Sequence, residues 1–156
     1  MKKNIFGIVV AIVICGLFGA VGAIFTTPNI APWYNGLAKG PLGPPNWVFG
    51  PVWTTLFVLM AVAAFLVWRK RGAKPIGGAL AVFVVQLVLN SFWSFLFFAA
   101  HSPAAAAIEI VALWFAVGLT IIDFYKISRP AAYLLTPYLL WISFAIYLNY
   151  SVVILN

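Results

Sequence analysis

Polar side chains are scarce in this sequence, so the places where they stand beside aromatic rings are its most informative positions. Gln86 and Asn90 are four residues apart, and Trp93 and Phe97 continue the same helical face. Tyr138, Trp141, Ala145 and Asn149 recur at i, i+3, i+7 and i+11, again one face of a helix. Trp53 and Phe57 form a third, shorter stripe. Ring faces offer stacking and dispersion over a wide area, and amides add a few directed hydrogen bonds. If the stripes converge, they wall a pocket for a large, flat, apolar ligand. The same residues also suit ordinary packing, with Gln86 and Asn90 as hydrogen-bonding glue between helices.

Conventional catalytic chemistry is missing. There is no paired-carboxylate site, no Ser/His/Asp set, no phosphate-binding glycine loop and no metal-ligand cluster. Neither a metal nor a cofactor is expected. The two acids, Glu109 and Asp123, lie in one apolar run. Asp123 is predicted to pair with Lys126 or Arg129. Glu109 is a candidate proton-relay or cation site, though it lacks a second acid deep within the membrane or a basic partner there, Asp123 lying near the basic end. His101 reads as an interfacial residue rather than a ligand or base. Cys15 is the one cysteine, so no intrachain disulfide can form.

The elements that must position these residues follow from composition. Of 156 residues, 65% are hydrophobic and 7% charged, where a soluble domain carries about 25% charged residues. A soluble domain of this size needs a polar skin, so the apolar excess faces lipid. A span takes about 20 apolar residues, and five segments qualify: Ile5–Phe25, Asn46–Trp68, Ile76–Ala100, Pro103–Tyr125 and Pro130–Val153. The expected fold is an all-α integral membrane bundle of five transmembrane helices in a single domain, residues 1–156. Asn46 and Ser102 are candidate N-caps. Pro75, Pro103 and Pro130 suit first helical turns, whereas Pro51 and Pro137 are expected to interrupt a backbone ladder. Gly16, Gly19, Ala20 and Ala23 have the small-residue spacing that favours close helix packing in lipid. Lys2 and Lys3 before an apolar run ending in Val21-Gly22-Ala23 also resemble a cleavable signal, but the run continues to Phe25 and is read as a retained span. The loop Thr26–Pro45 is rich in proline and aromatics, including Tyr34, and is expected to form an ordered lid.

Lys2, Lys3, Arg69, Lys70, Arg71, Lys74, Lys126 and Arg129 fall on one side of the predicted spans, and Lys39 alone on the other. Basic residues mark cytoplasmic loops, so the N-terminus is expected in the cytoplasm and the long loop outside. Because these residues flank apolar runs rather than forming a patch on a soluble face, no nucleic-acid partner is expected.

The run Trp33-Tyr34-x-x-Leu37-x-Lys39-x-Pro41-x-x-Pro44-Pro45 is followed by Val48-Phe49-x-Pro51-Val52-Trp53. Further on come Gln86-Leu87-x-Leu89-Asn90-x-x-Trp93-Ser94-x-x-Phe97-Phe98, Leu134-Leu135-x-Pro137-Tyr138-Leu139-x-Trp141 and Leu148-Asn149-Tyr150. Together these resemble the TspO/MBR family, the translocator proteins once called peripheral-type benzodiazepine receptors. The resemblance implies a five-helix bundle, often a homodimer, in the plasma membrane if bacterial. It implies a cavity under the first loop that takes porphyrins such as protoporphyrin IX, isoquinoline carboxamides or benzodiazepine-type molecules. The family's pocket positions fall on Tyr34, Trp53, Phe57, Asn90, Trp93, Trp141, Ala145 and Leu148, and the stripes add Tyr138. Three functions fit the resemblance: binding or sensing of tetrapyrroles, light- and oxygen-dependent porphyrin degradation beside Trp53 and Trp141, or tetrapyrrole transport. Two departures stand out. Lys39 is followed by Gly40 rather than directly by proline. Tyr150 is followed by no basic residue, unlike the sterol motif of animal members; the loose match Leu119…Tyr125…Arg129 is weak.

Overall fold

In a bilayer the outside of a protein is its most apolar part, and hydrogen bonding must be completed within the bundle. The computed structural model describes residues 2–156, with side chains from Asn4 onward, and has this inverted arrangement. Its helices are α1 (Lys2–Ile30), α2 (Phe49–Trp68), α3 (Gly77–Ser94), α4 (Pro103–Ile127) and α5 (Arg129–Leu155). Together with their flanking turns, all five are long and apolar enough to cross a membrane. Phe6, Leu17, Ile24, Ile108 and Leu140 point outward, whereas Gln86, Asn90, Thr120 and Asn149 are buried.

Packing joins α1 to α2, α2 to α5, α5 to α4, α4 to α3 and α3 back to α1. The five helices thus close a ring in which α2 and α3, neighbours in sequence, are not principal neighbours in space. Met60, Leu87, Phe124, Leu135 and Tyr138 fill its interior. Arg69, Lys70, Arg71, Lys74, Lys126 and Arg129 gather at one end. There Lys74 Nζ donates to the carbonyls of Lys126 and Ile127, which α4 leaves without helical partners. Lys126 pairs with Asp123 at 2.8 Å, as expected from the sequence. The side chains of Lys2 and Lys3, assigned to the same end, lie outside the described residues.

Several boundaries differ from expectation. α1 does not stop at Phe25 but continues through Pro28 to Ile30. The Thr26 hydroxyl donates to the Gly22 carbonyl and the Asn29 amide to that of Phe25, both at 2.9 Å. The long loop is correspondingly shorter. Asn46 does not cap α2 with its side chain: it opens a 3₁₀ turn, Asn46–Val48, and donates instead to Asn35 Oδ1 at 2.7 Å. Pro51 lies in the first turn of α2 and interrupts no established ladder, since few donors there have helical partners. Pro75 precedes α3, whose N-cap is Ile76. Ser102 stands at the N-cap of α4, but its side chain makes no capping bond. Pro137 is inside α5 as expected.

The end of the third span is not α-helical. Phe95–Ala99 widens into a π turn, with the Ala100 N–H reaching back to the Phe95 carbonyl at 2.8 Å. Consecutive residues of an α-helix point about 100° apart, yet Phe97 and Phe98 are both buried, at 3% and 8% exposure. The wider turn allows both rings to face inward. His101 ends the segment with a φ of 50°, a left-handed conformation that stops a helix.

Candidate functional site

A cavity of about 680 Å³ occupies the loop end of the ring, within the range of about 300–1,000 Å³ common for small-molecule sites. α2 presents Trp53 and Phe57 to it, α3 presents Asn90 and Trp93, and α5 presents Trp141, Ala145 and Leu148. The 3₁₀ turn Tyr34–Gly36 brings Tyr34 over the top. Eight of the nine predicted residues therefore share one wall. Tyr138 is the exception: it is completely buried and off the wall. Its hydroxyl accepts a hydrogen bond from Asn90 Nδ2 at 3.0 Å. Tyr138 is thus a support that orients Asn90, and the sequence stripe that included it was too broad by one residue. Asn90 uses its nitrogen on this support, and among the described residues no protein donor reaches its Oδ1.

A second amide is also held. Asn149 Oδ1 accepts from Trp93 Nε1 at 3.0 Å, and its Nδ2 donates to the Pro103 carbonyl at 2.8 Å. Trp93 is thereby fixed, with its ring stacked on Phe97 at 5.2 Å. Trp53 and Trp141 are held by rings rather than by their N–H groups. Trp53 packs on Phe57 and Tyr138, with centroids 5.9 and 6.2 Å away, and Trp141 on Phe49 and Phe144, at 6.0 and 5.7 Å. Gln86 was grouped with this face, but its nitrogen reaches Met60 Sδ at 3.7 Å in the core and it does not line the cavity.

The loop closes the top through fixed contacts at both flanks. On one flank Tyr34 packs against Phe49, Phe97 and Phe98, while Trp33 stacks on His101 with centroids 4.4 Å apart. His101 also contacts Asn29 Oδ1 at 3.1 Å. Asn29 Nδ2 donates to the Phe25 carbonyl, so its oxygen faces the imidazole and His101 Nε2 must be the donor. On the other flank the Asn156 amide exchanges two 3.0 Å bonds with the backbone of Ala38, and Gly40 N–H donates to Ser151 Oγ at 3.3 Å. A Cβ on Gly40 would meet Tyr147 Oη at 3.0 Å and Ser151 Cβ at 3.1 Å, so a side chain here would press these neighbours aside. The glycine that departs from the family pattern after Lys39 thus sits at a close contact with α5. Lys39 Nζ lies 4.5 Å over the Tyr34 ring and donates to the Leu37 carbonyl at 3.1 Å. Burial raises the Tyr34 phenol above its ordinary pKa, which keeps it neutral.

α1 supplies the part of the wall not anticipated from the sequence. Gly16, Gly19, Ala20, Ala23 and Thr26 line the cavity. The small-residue spacing was expected to bring helices together, and Gly19 does so, with its Cβ position 3.0 Å from the Phe57 ring. Gly16, by contrast, has nothing within 4 Å of that position; there the absent side chain contributes space. Glu109 is buried and off the cavity wall, with no protein partner for either carboxylate oxygen among the described residues.

A family model described as the TspO/MBR family matches residues 11–155. The chain is similar to the tryptophan-rich protein TspO of Chlorobaculum tepidum, with 41% identity over 161 residues, covering 100% of this chain and 99% of that protein. It is 37% identical to the human translocator protein over 134 residues, covering 85% of this chain and 79% of that one. It is 34% identical to the tryptophan-rich sensory protein of Cereibacter sphaeroides over 142 residues, covering 91% and 86% of the two chains.

Proposed function

Since the chain belongs to the TspO/MBR family, we propose that this integral membrane protein is a translocator or sensor whose ligand is a porphyrin or another large, flat, apolar molecule. The observation that carries this reading is the convergence of Trp53, Trp93 and Trp141 on one cavity beside Asn90. A flat ring system gains dispersion on each of these faces, and Asn90 Oδ1 is available to a pyrrole N–H. Lys39 is near enough to the mouth to meet a carboxylate by leaving the Tyr34 ring, and such a charge-assisted contact is strongest where water is partly excluded. The proposed orientation puts the basic end in the cytoplasm and the loop outside. A homodimer is part of the proposal; Gly77 and Ala81 lie exposed one turn apart on α3 and would permit close approach.

The test is quenching of tryptophan fluorescence by protoporphyrin IX in detergent, with a non-porphyrin amphiphile as control. Saturable quenching is expected, with Kd raised roughly 2- to 10-fold in Trp141→Phe by the loss of about 0.5–1.5 kcal/mol of stacking. Linear quenching, equal in both proteins once the missing fluorophore is allowed for, would refute it.

A second reading is porphyrin degradation under light and oxygen. It is favoured by Trp53 and Trp141, cavity indoles whose N–H groups have no protein acceptor among the described residues, unlike Trp93. An excited porphyrin held there would have an oxidisable ring on the wall. A Trp53→Phe, Trp141→Phe double variant that binds normally but yields no product under illumination would support this chemistry. Bleaching by wild type at the detergent-blank rate would rule it out.

A further inference from the structure

A ligand can reach the cavity over the loop or between helices, and the two routes differ in what must give way. Over the loop, Asn156 holds both backbone groups of Ala38 and Ser151 holds Gly40. Tyr34 is also buried among three phenylalanine rings. Opening there breaks several hydrogen bonds and strips an aromatic cluster at once.

The side between α1 and α2 is different. Gly16, Ala20 and Ala23 on α1, and Gly50, Thr54 and Val58 on α2, line the cavity and are all exposed. A Cβ at Gly16 or at Gly50 would meet nothing within 4 Å, so the cleft is open at two heights. Thr54, the one polar side chain of the six, donates its hydroxyl to the Gly50 carbonyl of its own helix at 2.9 Å. The lips therefore present methyl groups and no unmet donor to hydrocarbon. Between the two open stretches the Phe57 ring rests on Gly19 at 3.0 Å. A side-chain rotation there breaks no hydrogen bond and is far faster than reordering a loop.

We propose that the ligand enters and leaves sideways, from the bilayer, through the cleft between α1 and α2, with Phe57 against Gly19 as the gate. The source of ligand is then the membrane-dissolved pool, and the loop serves as a fixed roof. The proposal rests on the reading of the cavity as a site for flat apolar ligands.

Stopped-flow quenching by protoporphyrin IX in nanodiscs tests it, with wild type, Gly16→Phe, Gly50→Phe and Asn156→Ala. Both glycines have room for a side chain and gain helix propensity on substitution, so folding is preserved. Each phenylalanine variant is expected to slow association and dissociation alike, by about tenfold, whereas a ring that merely filled the cavity would speed dissociation. Asn156→Ala, which frees the roof, is expected to leave both rates within about twofold of wild type. At fixed total porphyrin, adding empty lipid should lower the association rate in proportion to the dilution in the membrane. Unchanged rates in both phenylalanine variants, or acceleration of both rates by Asn156→Ala, would overturn the lateral route while leaving the binding site standing. Absence of saturable quenching in wild type would overturn the binding reading and the route with it.

Discussion

At the scale of the residue, the site depends on how few polar atoms are left free. Asn149 is spent on Trp93 and Pro103, and the nitrogen of Asn90 on Tyr138. Tyr138→Phe removes the acceptor but not the ring, and leaves Asn90 free to turn. Interhelical hydrogen bonds in membrane proteins contribute about 0.6 kcal/mol on average. A small loss of thermal stability is therefore expected, with a weaker site for any ligand that bonds Asn90 Oδ1. Equal binding of protoporphyrin IX by Tyr138→Phe and wild type would show that Asn90 orientation is immaterial. Tyr34 adds a pH dependence of definite sign. Its phenol is raised by burial, so docking of the loop is fully present below the ordinary tyrosine value of about 10 and is lost as pH rises through the folded value. Tyrosinate absorbance followed against loop proteolysis checks this: ionisation of Tyr34 is expected to coincide with cleavage of the loop, and cleavage independent of pH would contradict it.

At the scale of the element, two irregular segments set the cavity's roof and side. The π turn Phe95–Ala99 faces both Phe97 and Phe98 inward, and Tyr34 rests on them. The loop is held at its other flank by the Asn156–Ala38 amide pair. Each such bond contributes about 0.5–1.5 kcal/mol. Asn156→Ala is therefore expected to raise hydrogen exchange at the Ala38 and Gly40 amides by about tenfold or more while global Tm changes little, because a loop opens locally. A fall in Tm without selective exchange would mean that Asn156 supports the bundle rather than the roof. The sequence pointed to an ordered lid through its prolines and aromatics, and the segment packs over the cavity through Tyr34 and the Asn156–Ala38 pair. Its anchors were not legible, since Asn156 and Ser151 are more than a hundred residues from their partners and neither type is diagnostic of such a contact.

At the scale of the whole molecule, the ring order and the basic end are the main findings, and the sidedness of the basic end can be tested directly. Impermeant maleimide labelling of Lys70→Cys and Leu42→Cys in a Cys15→Ser background is expected to reach Leu42→Cys from outside and Lys70→Cys only after the membrane is opened. The reverse pattern would invert the orientation. The number of spans was legible because the bilayer imposes one requirement on every segment, enough apolar residues to cross it. The aromatic stripes were legible because tryptophans and amides are expensive to place and announce themselves by type. What only the tertiary structure decided is the circular order α1–α2–α5–α4–α3, the extension of α1 through Pro28, the exclusion of Tyr138 from the wall and the contribution of α1 to the cavity. Hydropathy is a property of single segments, whereas ring order depends on which helix faces fit one another. Glycine and alanine wall a cavity by what they lack, and the same small residues in sequence describe equally a tight contact, as at Gly19, or an open cleft, as at Gly16.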